Sequence, residues 1–155
     1  MQIRRAQRGD IPGIDKLLAE VNKIHHDGRP DLFDLGRKYT DDQLAAMVGD
    51  DSRPIFVATG DAGEVLGYAF CVHQQIVGDP IRTDVKTLYI DDLCVDESTR
   101  GMGIGRALFD HVVAYARQSG CHDVTLNVWE LNPGARAFYE RMGMHPLKTC
   151  METVL

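Results

Sequence analysis

The feature that most constrains this chain is a buried strand that leads through a short turn and three glycines into an amphipathic helix. The strand ends with Leu93-Cys94-Val95, and Arg100-Gly101-Met102-Gly103-Ile104-Gly105-Arg106 opens the helix. Glycines remove side chains where the backbone enters the helix, so several N–H groups can converge on an anion, which the helix dipole also favours. A pyrophosphate fits such a turn. An ordinary tight strand-to-helix connection is the alternative.

Two well-known phosphate-binding folds do not fit this pattern. A dinucleotide-binding fold places its glycines after the first strand and an acidic ribose ligand after the next strand, whereas these glycines come late and no such acid follows. A P-loop needs Gly-Lys-Ser/Thr, which the chain lacks. The glycine turn therefore predicts an anion site of another kind.

Periodicity and turn residues predict the order strand, two helices, three strands, helix, strand, helix, strand. Helices are expected from 10 to about 25, 40 to 49, 103 to 119 and 132 to 143, and strands at the N-terminus, 54–58, 65–72, 86–95, 124–128 and within the tail 144–155. Asp10 and Asn132 are the expected N-caps of the first and last helices, and Thr40 with Gln43 forms a capping box. With no repeat or linker, residues 1–155 predict one α+β, or mixed α/β, domain.

The apolar positions of the strand before the glycine turn change phase. Leu88 and Ile90 have even numbers, whereas Leu93 and Val95 have odd numbers, so the period of two slips at Asp91-Asp92. A β-bulge explains the slip, and a strand buried on both faces is the alternative. Because two adjacent acids are costly inside a doubly buried strand, we predict the bulge, which lets main chain and carboxylate face a cleft.

Composition narrows the classes of partner and compartment. The 155 residues are 44% apolar and carry a net charge of −6, with no basic block that could follow a nucleic-acid backbone. No signal-peptide core or membrane-length apolar run occurs, so neither export nor membrane insertion is expected. The four cysteines stand singly, which favours a reducing cytoplasm and argues against a zinc site. Adjacent His25 and His26 point apart on a helix, so they are interpreted as a solvated helix end and no metal is predicted.

The segment from Arg100 to Gly105 matches the Arg/Gln-x-x-Gly-x-Gly/Ala motif of the GNAT superfamily of acetyl-coenzyme A dependent N-acetyltransferases. The order of elements is also that of GNAT proteins, so the resemblance covers nearly the whole chain. It implies a central mixed, twisted sheet flanked by helices, a bulged strand at the coenzyme cleft, and acetyl-CoA as co-substrate. In that arrangement the strand end pairs with the pantetheine arm as an added strand would. The implied cofactor-binding residues are Leu93, Cys94, Val95, Arg100, Gly101, Met102, Gly103, Ile104, Gly105, Arg106 and Asn132.

The segment from Asn132 to Gly143 matches a second GNAT pattern, in which Asn and a small residue precede a Phe-Tyr pair and a closing glycine. By that resemblance the Tyr139 hydroxyl lies near the coenzyme sulfur as general acid. Helical spacing alone places Tyr139 on a buried stripe. Both roles are compatible, because a tyrosine packs by its ring and reacts by its tip.

Acetyl transfer to an amine needs a base for the ammonium and an acid for the departing thiolate. Asp91 or Asp92 can take the proton directly or through water, although a pair of solvated turn acids is the alternative. The run Tyr89 to Val95 resembles the corresponding strand of spermidine/spermine acetyltransferases. That resemblance implies that the catalytic carboxylate is Asp91. Trp129 and Glu130 follow a strand end beside the expected cleft and are candidate substrate contacts.

The sequence thus predicts transfer of an acetyl group from acetyl-CoA to a small cationic primary amine. A protein N-terminal or lysine acetyltransferase and a non-catalytic coenzyme-binding domain are the alternatives. The combination of Tyr139 with the acid pair favours the enzyme. Asp91, Asp92 and Glu130 are expected to form an acidic mouth at the entrance of the acceptor cleft. The mixed charges of the loop from His25 to Tyr39 are expected to cancel. A homodimer is expected from the apolar hairpin and the apolar tail Met151 to Leu155.

Overall fold

A computed structural model describes all 155 residues. The chain forms a five-stranded sheet whose strands lie side by side in sequence order, and four helices pack against it. The strands are β1 (Gln2–Arg5), β2 (Ile55–Thr59), β3 (Val65–Gln75), β4 (Lys86–Val95) and β5 (Asp123–Leu126), and the helices are α1 (Ile11–Gly28), α2 (Asp41–Met47), α3 (Ile104–Gln118) and α4 (Pro133–Arg141). β1 to β4 are antiparallel, and β5 runs parallel to β4. The predicted α+β fold with a mixed sheet is confirmed.

Helices cover both faces of the sheet, because alternate residues of the central strands are apolar on both sides. On one face, Leu108 of α3 packs with Phe56 and Leu88 in a buried core. On the other face, Leu17 of α1 packs with Tyr68. Each fully buried side chain of this size contributes roughly 1.5–3 kcal/mol, so the two layers fix the sheet in place.

The predicted bulge lies in β4. Residues 70 and 71 of β3 pair with Asp92 and Ile90, so Asp91 has no partner on that strand. Ile90 belongs to the core under α3, whereas Cys94 belongs to the core under α1. The extra residue therefore exchanges the faces of even and odd positions, as the phase slip predicted.

The first helix begins after Asp10, as predicted, and extends to Gly28, about three residues further than predicted. Asp10 occupies the N-cap position, but its side chain makes no capping hydrogen bond. Instead the buried Asp10 carboxylate accepts hydrogen bonds from the Arg4 guanidinium at 2.7 and 2.9 Å and from the backbone N–H of Gln7 at 2.8 Å. A charged guanidinium is a stronger partner for a buried carboxylate than a helix N–H, so the side chain turns towards β1.

The prediction of one or two strands in the tail is wrong. Residues 144–155 form no strand, and Leu147, Met151, Val154 and Leu155 are exposed. Apolar residues without a partner strand to supply backbone hydrogen bonds do not form a sheet, and Pro146 has no N–H to donate. The tail is attached instead through an ion pair of 3.0 Å between Glu152 and Arg29 at the end of α1. None of the helices has the length and apolar character needed to span a membrane.

Candidate active site

The glycine turn presents backbone donors at the start of α3. Gly101 and Gly103 have φ values of 83° and 82°, a left-handed conformation that other residues rarely adopt. Gly103 is the N-cap and supplies no side-chain hydrogen bond. The N–H groups of residues 103–106 have no acceptor within the protein, and the space beside Gly101 and Gly103 is open. Four free donors at a helix N-terminus suit a phosphate group.

A second open feature runs along β4. β5 pairs with residues 87–90 of β4 and ends at Leu126, two residues earlier than predicted. The segment 91–95 therefore has a neighbouring strand only on the side of β3. Its outer edge leads towards the glycine turn, where the Val95 carbonyl accepts a hydrogen bond of 3.3 Å from Arg100 Nε. An extended amide-bearing chain can pair with such an edge.

Cys94 contributes main chain rather than a thiol to this edge. Its side chain is buried in the core under α1, and its Sγ lies 3.9 Å from the Leu17 carbonyl. Burial raises the pKa of the thiol to about 12, and the charge of Asp92 acts in the same direction. A thiol with so high a pKa is not a nucleophile, so the structure assigns Cys94 no covalent role.

Tyr139 projects from α4 onto the core beneath α3. Its ring lies 5.1 Å from that of Phe138 and 6.3 Å from that of Phe109, measured between centroids. Burial raises the pKa of the Tyr139 hydroxyl, and the nearby charge of Asp92 raises it further. The hydroxyl therefore keeps its proton at neutral pH and is available as a donor.

Asn132 holds the start of α4, as predicted. Its side-chain oxygen accepts a hydrogen bond of 3.1 Å from the N–H of Ala135, and Pro133 occupies the first helical position. Past the last turn, Gly143 has a φ of 90°. These two termini fix the rotation of α4 and hence the direction in which Tyr139 points.

The bulge gives the two adjacent acids different surroundings. The Asp92 side chain is 12% exposed, and its Oδ2 accepts a hydrogen bond of 3.0 Å from the Tyr68 hydroxyl. Burial raises the pKa of Asp92, although the Lys38 ammonium and the Tyr68 hydroxyl oppose the increase. Asp91 is more exposed, and its Oδ2 lies 3.5 Å from Lys38 Nζ.

Lys38 places a positive charge between the two carboxylates. Its Nζ lies 3.5 Å from Asp91 and 3.8 Å from Asp92, and its side chain is 39% exposed. Partial burial alone would lower the pKa of Lys38, but the attraction of Asp92, Tyr39 and Asp91 outweighs it and the net pKa is raised. A positive charge of the loop before α2 therefore offsets the negative charges of Asp91 and Asp92, and not only those of the acids within the loop.

An aromatic cluster lies near the acids. The Phe33 ring is 5.0 Å from His25 and 5.3 Å from Trp129, the latter edge to face. Burial lowers the pKa of His25, and the charge of Asp92 raises it in part. His26 Nδ1 donates to the Phe33 carbonyl at 2.6 Å. The interpretation of the two histidines as a solvated helix end is therefore wrong, because the loop folds back over them.

The two residues expected to contact substrate differ in position. Trp129 belongs to the aromatic cluster and is 42% exposed. Glu130 is largely exposed, and its carboxylate forms an ion pair of 2.9 Å with Arg136. The negative charge of Glu130 is thus compensated by Arg136 on α4, whereas Asp91 and Asp92 are the two acids at the bulge.

Sequence reasoning missed Lys38, Tyr68 and Phe33 as members of this site. The contact of Lys38 joins residues 53 apart in the chain, and the contact of Tyr68 joins residues 24 apart. No local periodicity or motif encodes such contacts. The only available signal was that Tyr68 is a polar aromatic residue in the middle of a strand that is otherwise apolar, where its hydroxyl needs a partner.

Comparison with known proteins agrees with this geometry. Residues 18–144 match the model of the acetyltransferase (GNAT) family. The chain is 28% identical to streptothricin acetyltransferase of Streptomyces lavendulae in an alignment of 159 positions, gaps included, that covers 92% of this chain and 80% of that protein. It is 33% identical to the 5-NmdU N-acetyltransferase of Pseudomonas phage PaMx11 over 81 residues, which cover 52% of this chain and 50% of the phage protein.

Among solved structures, a mutant of the BH1408 protein from Bacillus halodurans matches with a TM-score of 0.96 and 31% identity, over 100% of this chain and 99% of that chain. Glucosamine-6-phosphate N-acetyltransferase from Arabidopsis thaliana matches with a TM-score of 0.71 and 21% identity, over 99% and 97%, and shares the fold. Because the family model spans most of the residues that form the sheet, the glycine turn and α4, the chain belongs to the acetyltransferase (GNAT) family and is an acetyl-CoA-dependent N-acetyltransferase.

Proposed function

We propose that this enzyme acetylates the primary amine of a small cationic acceptor, with Asp92 as base and Tyr139 as general acid. The observation that carries the proposal is the alkylammonium group of Lys38, whose Nζ lies 3.5 Å from Asp91 and 3.8 Å from Asp92. The mouth of the cleft therefore already holds a group of the chemistry that an acceptor would present. An acceptor ammonium can take the same position by displacing Lys38.

The free N–H groups of residues 103–106 would bind the coenzyme pyrophosphate. The unpaired edge of β4 over 91–95 would bind the pantetheine arm, which contains amide groups. This path runs from the start of α3 to the bulge, so the thioester would reach the region between Asp92 and Tyr139.

The two residues have complementary proton states. Asp92 is the better base of the acid pair, because its burial raises its pKa and a stronger base accepts a proton from an ammonium more readily. The neutral amine then attacks the thioester carbonyl, and the departing thiolate takes a proton from the Tyr139 hydroxyl. Asp91, which is more exposed, would attract the ammonium by charge without accepting its proton.

The aromatic cluster would form the wall against which the apolar part of the acceptor packs. Trp129 and Phe33 meet edge to face, and Trp129 leaves 42% of its surface exposed. A lysine side chain in a peptide offers the same ammonium and apolar stem as a free amine. Protein lysine acetylation is therefore the second candidate, supported by the same position of Lys38.

Thiol release from acetyl-CoA, measured against a panel of amines, tests the proposal. The panel contains a polyamine, a lysine-containing peptide, a neutral amino sugar and an anionic amine. We expect kcat/KM to be greatest for the cationic acceptors and to decline as salt rises, because added ions screen the attraction. An anionic amine as the best acceptor would contradict the proposed specificity, and turnover with none of them would contradict the proposed function.

Matched variants separate the two acids. Asp92→Asn removes the base but keeps an acceptor for the Tyr68 hydroxyl, and should lower kcat by roughly 10²-fold or more. Asp91→Asn should instead raise KM for cationic acceptors with a smaller effect on kcat. If Asp91→Asn caused the larger loss of kcat, the roles assigned to the two residues would be reversed.

Tyr139→Phe isolates the acid. The variant keeps the ring contacts with Phe138 and Phe109 and removes only the hydroxyl, so it should lower kcat by roughly 10²-fold or more with little effect on thermal unfolding. Turnover at the wild-type rate would exclude Tyr139 as the acid.

A further inference from the structure

Lys38 occupies the position that the proposed function gives to the acceptor, and its neighbours hold it there. On one side, Arg37 Nε donates to Asp15 of α1 at 2.8 Å. On the other side, the Tyr39 ring stacks on that of Phe70 in β3, with 15° between the planes and 6.1 Å between centroids. Residues 37 and 39 are thus both anchored to regular elements, so the backbone of residue 38 stays beside the acid pair, and only the Lys38 side chain has to move when an external ammonium enters.

We propose that Lys38 is itself an acetyl acceptor, and that the enzyme modifies this residue with acetyl-CoA when no other amine fills the cleft. The inference rests on the proposed function, since it uses the same base and acid. It adds a modification site on the chain that covers the mouth of the cleft. It also explains why a long cationic side chain is placed between two carboxylates where an incoming ammonium should bind.

The chemistry balances with acetyl-CoA as the one co-reactant. The Lys38 ammonium gives one proton to Asp92, directly or through water, and Asp92 releases it to solvent. The Nζ lone pair forms a bond to the acetyl carbonyl carbon, and the bond from that carbon to sulfur breaks. The thiolate takes the Tyr139 proton, and Tyr139 regains a proton when Nζ loses its second one. The products are an amide on Lys38, free coenzyme A and one released proton.

Acetylation would change the charge of the mouth. An acetylated Lys38 carries no positive charge, so Asp91 and Asp92 would lose the cation at 3.5 and 3.8 Å. The acid pair would then be free to attract an external ammonium. A self-modified enzyme should accordingly have a lower KM for cationic acceptors than the unmodified one.

The other lysines provide an internal control for non-enzymatic acetylation. Lys16 and Lys23 lie on α1 and also form ion pairs, with Asp96 and Asp27, but neither is paired with Asp91 or Asp92. Their side chains are 65% and 68% exposed, against 39% for Lys38. Uncatalysed reaction with acetyl-CoA would favour the more exposed amines, whereas the enzymatic reaction selects Lys38.

The test incubates the whole protein with acetyl-CoA and no added amine, and follows acetylation at each lysine by peptide mass spectrometry. We expect one acetyl group, on Lys38, at a rate per molecule that does not depend on protein concentration. Tyr139→Phe should slow acetylation of Lys38 by roughly 10²-fold while leaving the slow reaction of Lys23 unchanged. A cationic amine that is a good acceptor should slow the reaction of Lys38, because both compete for the same carboxylates.

Lys38→Arg provides the second variant, since it keeps the positive charge and the fold but offers no amine. It should gain no acetyl group during the time in which the wild type is fully modified. Unmodified Lys38 in an enzyme that turns over free amines would overturn this inference and leave the proposed function intact. Acetylation spread over Lys16 and Lys23 in order of exposure would overturn it as well. Absence of both self-acetylation and turnover would overturn both proposals.

Discussion

The hydrogen bond from the Tyr68 hydroxyl to Asp92 offers a direct test of the base, because it stabilises the carboxylate form. The donor lies 3.0 Å from Oδ2, and both groups are largely buried. A hydrogen bond to a charged group contributes about 1.5–3 kcal/mol, and about 1.4 kcal/mol corresponds to one pH unit of pKa. Tyr68→Phe should therefore destabilise the Asp92 carboxylate by about 1.5–3 kcal/mol and raise its pKa further.

The sign of the effect on activity follows from the state that the base needs. In the proposed mechanism Asp92 acts as the carboxylate, so kcat/KM should rise with pH as Asp92 loses its proton. In Tyr68→Phe this acid limb of the pH profile should move to higher pH. The other charged groups that face Asp92 are Lys38, Asp91 and His25, and all three are retained in the variant.

The assay is the pH dependence of kcat/KM for thiol release with one cationic amine. Tyr115→Phe is the matched control, because it also removes a tyrosine hydroxyl, one that lies 3.1 Å from His73 Nε2 on the α3 side of the sheet. Its acid limb should coincide with that of the wild type. An acid limb that stays in place in Tyr68→Phe, or moves to lower pH, would refute the assignment of Asp92 as base.

Three further predictions concern coenzyme binding, stability and assembly. Gly103→Glu should abolish coenzyme A binding in calorimetry by placing a carboxylate and a strained φ at the free N–H groups, whereas Gly120→Glu, which has a similar φ at the other end of α3, should bind normally. Leu108→Ala should lower the free energy of unfolding by about 2–5 kcal/mol in urea titration, because Leu108 is completely buried. Light scattering at micromolar concentration should give a dimer mass that falls when residues 151–155 are deleted, since these exposed apolar residues and the free edge of β5 are available for a second copy.

The elements that local physics determines were predictable from the sequence. The capping box of Thr40 and Gln43 forms with bonds of 3.2 and 2.8 Å, and Asn132 caps α4. The phase slip at Asp91 predicted a bulge because side-chain alternation in a strand has a strict period. Each of these features depends on residues within a few positions of one another, so the pattern carries the information.

The failures share a different cause. Asp10 occupies the predicted N-cap position, but its carboxylate binds the guanidinium of Arg4, six residues earlier, instead of capping the helix. The tail 144–155 is apolar enough for strands, yet no partner strand lies against it. His25 and His26 are predicted to be solvated because adjacent histidines on a helix point apart, but Phe33 of the following loop contacts both, and no periodicity in that loop predicts its path. In each case the deciding contact is tertiary.

The same division explains how much of the candidate active site could be predicted from the sequence. The extra residue in β4 places Asp92 on the face covered by α1, whereas the apolar residues Leu93 and Val95 lie on the face under α3. This arrangement depends on ten consecutive residues, so the sequence pattern predicts it. The groups that contact the Asp92 carboxylate on that face come from other parts of the chain. Tyr68 lies on β3, and Lys38 lies in the loop before α2. These two neighbours lower the pKa of Asp92 while burial raises it, so the basicity of this carboxylate depends on the balance between them. A carboxylate whose pKa depends on three separate segments would change in basicity on substitution of Lys38, or on the proposed acetylation of Lys38, without any change in the motif that identifies the family.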